Sequence, residues 1–108
     1  MSARDLILNE FTLYYRGDEV DVEQLEDLRD RAESSALRLA SEAGVQGAPQ
    51  VVSLLRELRD NRAHPFHESI GISSELWWAQ DDELFLVFQQ VVDWMLARLA
   101  LITSSGPP

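Results

Sequence analysis

Hydrophobic side chains recur at every third or fourth position along most of this chain, which is the period of an α-helix. No segment alternates strictly between apolar and polar residues over the length of a strand. We therefore expect an all-α fold, arranged as a four-helix bundle of the up-down type within a single domain, residues 1–102. The remaining residues, 103–108, are predicted to form a disordered C-terminal tail.

The first helix is predicted from Ala3 to Tyr15 or Arg16, with Ser2 as its N-cap. Its apolar residues fall at spacings of three and four and define one face. The helix should bury this face against the rest of the bundle. Ile7, Phe11 and Tyr14 form the face, and Leu6 and Leu13 widen it.

The second helix is predicted to begin at a cap on Asp21, because Gln24 three residues later completes a variant of the capping box. It should stop at Gly44, and residues 45–48 should form a linker. The face opposite its apolar stripe is acidic. We interpret this face as solvated, with an acidic docking surface as the alternative. Its carboxylates belong to Glu23, Glu26, Asp27, Asp30 and Glu33.

The third helix is predicted to have Pro49 in its first turn, where a missing N–H costs nothing, and to run to about Arg62. A loop is expected over residues 63–73, because Pro65 disfavours helical geometry at the residue before it.

The last helix is predicted from a cap at Ser73 or Ser74 to about Ile102, with an interruption near residues 80–82. It carries apolar residues on two sides, which suggests a helix that is central or lies at an interface.

The charge balance limits the kinds of partner. Nineteen Asp and Glu residues face nine arginines and no lysine, and the formal net charge is −10. A domain this acidic should repel nucleic acid at long range, because such binding draws most of its affinity from neutralised phosphates. We therefore expect no DNA partner, and RNA only if the protein is a catalyst with one small positive site.

Three features that the sequence lacks narrow the class of protein further. The chain has no cysteine, no signal-peptide pattern at its N-terminus and no unbroken run of about 18 apolar residues. Disulfide frameworks and thiolate metal sites are thereby excluded. The expectation is a cytoplasmic protein with no membrane partner and no cofactor.

One segment combines a polar cluster with a helix boundary. Arg59 is followed by Asp60, Asn61, Arg62 and Ala63, then by His64 and a helix-stopping proline. This order resembles the signature of the HEPN superfamily, small helical domains named for higher eukaryote and prokaryote nucleotide binding. That signature is an arginine, four to six residues and a histidine, often with a polar residue directly after the arginine. The resemblance covers about ten residues.

The resemblance implies a metal-independent endoribonuclease of the toxin–antitoxin or phage-defence kind, in which two protomers bring their motifs together. It gives His64 the role of general acid and base, and Arg59 that of holding the scissile phosphate. Asp60 or Asn61 would orient Arg59 or the substrate, and Arg62 would contact the RNA backbone. We therefore expect a homodimer, with Arg59 and His64 lining one cleft.

The alternative hypothesis is a non-catalytic acidic interaction module, such as an antitoxin, an immunity protein or an adaptor. Here His64 only caps a helix, and a protein partner binds the acidic face of the second helix and a patch at Trp77 and Trp78. We expect one of these indoles to be buried and the other exposed, as a lid or a partner surface, with burial of both as the alternative.

The same segment contains candidate metal ligands. His64, His67 and Glu68 have suitable chemistry for zinc, but a complete ligand set of the usual kind is missing, so no metal is expected.

Overall fold

The computed structural model describes residues 2–16, 20–74, 77–79 and 81–104. The described residues form helices joined by short connections and contain no strand, so the predicted all-α fold is confirmed. The helices are α1 (Ala3–Tyr14), α2 (Leu25–Asp60), α3 (Phe66–Ser74) and α4 (Asp82–Ser104), and a short 3-10 turn spans Trp77–Ala79.

Helix α1 begins as predicted. The hydroxyl oxygen of Ser2 accepts the backbone N–H of Asp5 at 3.2 Å, which satisfies one of the donors that the first turn leaves free. The Ser2 hydroxyl in turn donates to the Asp5 carboxylate at 2.9 Å. A carboxylate in the first turn is also favoured by the helix dipole, so local sequence is sufficient to start this helix.

The buried face of α1 differs from the prediction at its C-terminal end. Ile7 and Phe11 are buried as expected, but Leu13 is exposed and Tyr14 only half-buried. Tyr15 follows the helix with non-helical backbone angles of φ −130° and ψ 32°, and it is fully buried in place of Tyr14. The turn out of the helix therefore decides which tyrosine enters the core.

Helix α2 begins later than predicted. The Asp21 side chain accepts the N–H of Glu23, and its carbonyl accepts the N–H of Gln24, so Asp21 closes a turn before the helix. Gln24 is the residue at the N-cap, and its side chain makes no capping hydrogen bond. The predicted capping box at Asp21 is therefore wrong.

Gly44 breaks α2 without ending it. Its φ of 72° lies in the left-handed region, and a Cβ at this position would meet no atom within 4 Å, so the backbone angle alone favours glycine. Residues 45–48, predicted as a linker, are helical. Pro49 lies in the second turn after the break rather than in the first. We call residues 25–43 and 45–60 the N-terminal and C-terminal arms of α2.

Residues 66–74 form α3, where a loop was predicted. The reason is that Pro65 lies directly before a new helix, and a proline is well tolerated at a helix start, whereas α2 has already ended at Asp60. The imidazole Nδ1 of His64 accepts the N–H of Phe66 at 3.1 Å and so satisfies one donor of this new first turn.

The last helix begins at Asp82 rather than at Ser73 or Ser74. Of the interruption predicted near residues 80–82, Asp81 is non-helical and residue 80 lies outside the described residues. Ser73 and Ser74 lie in α3, and it is Asp81 whose carboxylate accepts the N–H of Leu84 at 2.8 Å to begin α4. The helix continues through Thr103 and on to Ser104, both of which were predicted to lie in the tail. Residues 105–108 lie outside the described part of the chain.

The core is aromatic at its centre. Helix α4 packs along α2, while α1 packs against α2 and α3, and the 3-10 turn packs against α4. The Trp78 indole stacks on Phe88 with 4.6 Å between ring centroids, and Phe11 lies 5.5 Å from Trp78. The other large side chains that are fully buried include Leu28, Leu39, Leu55, Leu58, Ile70, Met95 and Leu99.

By length and composition, α4 is also able to cross a membrane over Asp82–Thr103, although the chain has no unbroken apolar run of that length. One side of the helix lies in the core, where Val92 and Met95 are fully buried. The core helix of a soluble protein has the same length and apolar composition, so these two properties do not distinguish it from a membrane-spanning helix. The opposite side leaves Leu86 and Leu101 exposed.

Candidate functional site

Arg59 lies in the last turn of α2 and is held by two carboxylates. Its Nε donates to Oδ1 of Asp60 at 2.8 Å, and its Nη1 donates to Oδ1 of Asp93 on α4 at 2.9 Å. These hydrogen bonds raise the pKa of the Arg59 guanidinium above its ordinary value, and the bond to Asp60 has the larger effect. The Arg59 carbonyl also accepts the side-chain amide of Gln89 at 2.8 Å, so α4 holds both ends of this residue.

His64 lies four residues beyond the end of α2, and a hydrogen bond fixes one side of its ring. Because Nδ1 accepts the Phe66 N–H, the neutral ring carries its proton on Nε2. That Nε2 lies 3.5 Å from Oε2 of Glu57. The His64 backbone N–H donates to the carbonyl of Asn61 at 3.1 Å. The imidazole is half-buried, and its protonated nitrogen faces the Glu57 carboxylate.

A cavity of about 600 Å³ lies beside the C-terminal arm of α2. His64, Asn61 and Asp60, three residues of the predicted site, line it together. Arg59 does not line it, because its side chain is directed towards Asp93 on α4. We call this cavity the polar groove; its lining residues are Pro49, Val52, Ser53, Arg56, Glu57, Asp60, Asn61 and His64.

The other predicted supporting residues have local partners. Asp60 forms a two-pronged contact with Arg59, and this hydrogen bonding lowers the pKa of its carboxyl. The Asn61 side chain accepts the N–H of Ala63 at 3.1 Å, which shapes the turn after α2. Arg62 pairs with Asp82 at the start of α4 and is also absent from the lining of the polar groove.

His67, which the motif analysis considered only as a metal ligand, is a core residue with 4% of its surface exposed. Its Nδ1 accepts the indole N–H of Trp78 at 3.0 Å, and its Nε2 donates to the carbonyls of Leu58 and Asn61 at 3.0 and 3.1 Å. Burial lowers the pKa of this imidazole. His67 therefore joins the end of α2 to α3 and to the 3-10 turn as a neutral ring.

Both tryptophans are buried, which corrects the prediction that one of them is exposed. Trp77 donates its indole N–H to the carbonyl of Tyr15 at 3.0 Å, and the two indoles meet edge to face with 5.2 Å between centroids. Adjacent residues can both enter the core here because they lie on a 3-10 turn over α4 rather than on the surface of a long helix. A partner surface at Trp77 and Trp78 is therefore not available in this structure.

A second polar cluster lies at the contact of α1 with α2. The sequence does not predict it, because its two charged residues are 28 positions apart. Glu10 is 4% exposed, and Arg38 donates to its carboxylate from Nη2 at 2.6 Å and from Nε at 2.9 Å. The guanidinium also lies 3.9 Å over the Tyr14 ring. Glu10 follows the buried Ile7 by three residues and so lies on the apolar face of α1. This position of a carboxylate is the feature of the sequence that could have indicated a buried ion pair.

Metal ligation has no support within the residues that the structure describes, where no group of three or more His, Asp or Glu side chains could hold an ion. Both ring nitrogens of His67 are engaged in the core, and they are turned away from the groove that His64 lines.

Comparison with protein-family models, curated proteins and solved structures gives no match to this chain. The fold defines it as an all-α protein. The resemblance to HEPN domains accordingly rests on the segment from Arg59 to His64.

Proposed function

We propose that this chain is a non-catalytic acidic protein-interaction module, of the antitoxin, immunity-protein or adaptor kind. In this proposal the chain folds as a four-helix bundle of the up-down type and acts in the cytoplasm. The observation that carries the proposal is that Asp60 and Asp93 hold the Arg59 guanidinium, which does not line the polar groove. An arginine that binds phosphate needs free donors aimed at the phosphate oxygens. The packing of α2 against both α1 and α4 supports the bundle arrangement.

The charge distribution supports a basic protein partner. Glu23, Glu26, Asp27 and Asp30 are exposed along the start of α2, and no ion pair involves their carboxylates among the described residues. A net charge of −10 increases the rate of encounter with a basic surface and disfavours a polyanion. The acidic face, without the buried tryptophans, is therefore the surface that we assign to partner binding.

The second candidate is a HEPN-like, metal-independent endoribonuclease. It is favoured by one observation, which is that His64, Asn61 and Arg56 line the same polar groove. In that mechanism Arg56 would bind the phosphate beside His64, or Arg59 would leave its two carboxylates when RNA binds. The first route uses a different arginine from the HEPN-like motif, and the second must break two charge-assisted hydrogen bonds.

An RNA-cleavage assay in EDTA separates the two candidates. The native protein and His64→Ala are compared on a mixed RNA substrate, with folding of both checked by circular dichroism. No cleavage by either, or equal cleavage by both, supports the interaction module, because the groove histidine is then not catalytic. Cleavage by the native protein that His64→Ala abolishes would overturn the module and establish the nuclease.

Binding to a basic probe tests the acidic face directly. The probe is a short oligo-lysine peptide, and the variant is the triple change Glu26→Gln, Asp27→Asn and Asp30→Asn. A matched control neutralises Glu42, Glu68 and Glu83, which are also exposed and give the same net charge. We expect the first variant to weaken binding several-fold more than the control. Equal weakening would mean that only net charge matters and would remove the assignment of this face.

The homodimer expected from the sequence remains part of the proposal. Its support is the uncharged groove between α2 and α4, whose lining includes Val45, Val52 and Ile102.

A further inference from the structure

A groove of about 360 Å³ lies between α1 and the N-terminal arm of α2. It shares no lining residue with the polar groove, and it contains the ion pair of Glu10 and Arg38. We call it the α1–α2 groove; it is lined by Leu6, Asn9, Glu10, Leu13, Tyr14, Arg38 and Glu42.

One oxygen of a buried carboxylate in this groove has no donor. Glu10 is 4% exposed, and both hydrogen bonds from Arg38 reach the same oxygen, Oε1, at 2.6 and 2.9 Å. Oε2 accepts no hydrogen bond from the residues that the structure describes. A buried carboxylate oxygen without a donor is costly, so a donor that enters the groove would be bound favourably.

Three neighbours hold Arg38 in one position. Its Nε and Nη2 donate to Glu10, Nη2 also lies 3.4 Å from the Ser35 hydroxyl, and the guanidinium carbon lies 3.9 Å from the centre of the Tyr14 ring. Glu10 therefore neutralises the charge of Arg38 within the groove. Nη1 donates to none of the described residues, which leaves it for a carbonyl oxygen of a bound peptide.

The charges in the groove favour a cation. Besides Glu10 and Arg38 the lining contains Glu42, whose exposed carboxylate forms no ion pair with the described residues. Two carboxylates thus face one guanidinium, and a bound cation would balance the charge, whereas an anion would increase the excess. We infer that the α1–α2 groove binds an arginine side chain of the basic partner. This inference rests on the proposed function and adds to it the side chain that is recognised.

Arginine suits this groove better than lysine does. Its planar guanidinium carries five N–H donors, so it can reach Oε2 of Glu10 and the carboxylate of Glu42 at the same time. It is also more weakly hydrated than an ammonium group and loses less when it enters a groove beside another guanidinium. Leu6 and the exposed Leu13 provide apolar surface for the aliphatic part of the side chain.

The groove lies on the same arm of α2 as the acidic face. From Asp30 to Glu42 the helix advances by about 18 Å, at about 1.5 Å per residue. An extended segment of about five or six residues covers that distance at about 3.3 Å per residue. One basic segment of the partner is therefore long enough to contact the acidic face and to place an arginine in the groove.

The test compares a short oligo-arginine peptide with an oligo-lysine peptide of the same length, and fluorescence anisotropy measures their binding to the full chain. The first variant is Glu42→Gln, and its matched control is Glu68→Gln, the same change at an exposed glutamate of α3 outside the groove. The second variant is Leu13→Lys, which places a tethered ammonium in the groove. Its control is Leu86→Lys on α4, where the leucine is 63% exposed against 61% for Leu13. Circular dichroism checks the folding of all four.

We expect the native chain to bind oligo-arginine several-fold more tightly than oligo-lysine. Glu42→Gln should weaken arginine binding about two- to fivefold more than Glu68→Gln does. Leu13→Lys should likewise weaken it more than Leu86→Lys. The Nε–H proton resonance of Arg38 in an NMR spectrum should shift on addition of oligo-arginine, because the bound side chain shares the Glu10 carboxylate.

Three results would each overturn the inference. They are equal affinity of the native chain for the two peptides, equal weakening within either pair of variants, and an Arg38 resonance that oligo-arginine does not shift. Any of them, with the triple change at the acidic face still weakening oligo-lysine binding, removes the groove and leaves the acidic face. The reverse result removes the acidic face alone. Glu42 remains a fair control in the oligo-lysine comparison, because the groove selects arginine rather than lysine.

Discussion

The indole N–H of Trp78 donates to Nδ1 of His67 at 3.0 Å inside the core, and this bond fixes the proton of the ring on Nε2. From there the ring donates to two carbonyls at the end of α2, those of Leu58 and Asn61. Carbonyls at a helix end have no partner within the helix and must find one elsewhere. A single buried imidazole thus satisfies the end of one helix and the side chain of a distant tryptophan.

The first prediction is that His67→Phe is strongly destabilising. Phenylalanine has a similar shape but leaves the Trp78 N–H and the two carbonyls without the ring as partner. Since a buried polar group left unsatisfied costs about 1–3 kcal/mol, we expect a loss of about 2–4 kcal/mol in the free energy of unfolding. Urea unfolding followed by tryptophan fluorescence measures it.

The control for that measurement is His64→Ala. It removes one hydrogen bond at the start of α3 from a half-buried position, so a loss of about 1 kcal/mol is expected. Equal losses for the two variants would contradict the distinct core role of His67.

The second prediction concerns pH. Burial lowers the pKa of His67 below its ordinary value of 6.5, so the unfolded chain binds this proton more readily than the folded one does. Stability from this group is therefore complete above the unfolded pKa and is lost as pH falls through the folded pKa. The free energy of unfolding of the native chain should decrease from about pH 7 to pH 5.

His67→Phe should have a flatter profile over the same range, because it lacks the shifted group. His64 is the other titratable ring facing His67, so the comparison is repeated in a His64→Ala background. Parallel profiles for the native and His67→Phe chains in that background would show that another group causes the dependence.

Local signals in the sequence predicted those parts of the fold that depend on neighbouring residues. The cap at Ser2, the break at Gly44 and the interruption before Asp82 each follow from a side chain or backbone preference within one turn. The same reasoning failed at Pro65, because a proline that disfavours helical geometry at the residue before it is well suited to the start of the next helix.

The site was harder to predict because its geometry depends on contacts distant in sequence. Helical spacing places Arg59 near the core, but it does not show that Asp93 on α4 binds the guanidinium, which does not line the groove that His64 lines. In the same way, both tryptophans enter the core through partners on other elements, Tyr15 and His67. No local pattern indicates such partners, because they are set by how the helices pack.

The third prediction concerns the ion pair between Glu10 and Arg38. Glu10→Ala leaves a guanidinium beside the core, and removal of one partner from a buried pair is costly. Because Arg38 is partly exposed and can regain water, we expect a loss of about 1–3 kcal/mol rather than the full cost. Glu33→Ala is the control, since it breaks an exposed pair with Arg29 and should cost less than about 0.5 kcal/mol. Urea unfolding that ranks the two variants equally would contradict the structural role of Glu10.

The fourth prediction frees Arg59. The double change Asp60→Asn and Asp93→Asn removes both carboxylates that hold its guanidinium. These pairs are largely exposed and screened by water, so we expect little loss of stability. The proposed interaction function predicts that this variant still cleaves no RNA in EDTA. Cleavage that appears in this variant and disappears on adding His64→Ala would show instead that the carboxylates hold a nuclease inactive.

The fifth prediction tests the break in α2. Gly44→Ala forces a side chain into the left-handed region at φ 72°, which costs about 1–2 kcal/mol even though no neighbouring atom would clash. Gly47→Ala is the matched control, because this glycine has ordinary helical geometry and its new Cβ would lie 3.2 Å from that of Ala43. The helix preference for alanine, about 1 kcal/mol, opposes this tight contact, so Gly47→Ala should be close to neutral. Thermal unfolding of both variants distinguishes the two cases. A neutral Gly44→Ala would mean that α2 straightens through the break at no cost, and it would contradict the need for glycine at this position.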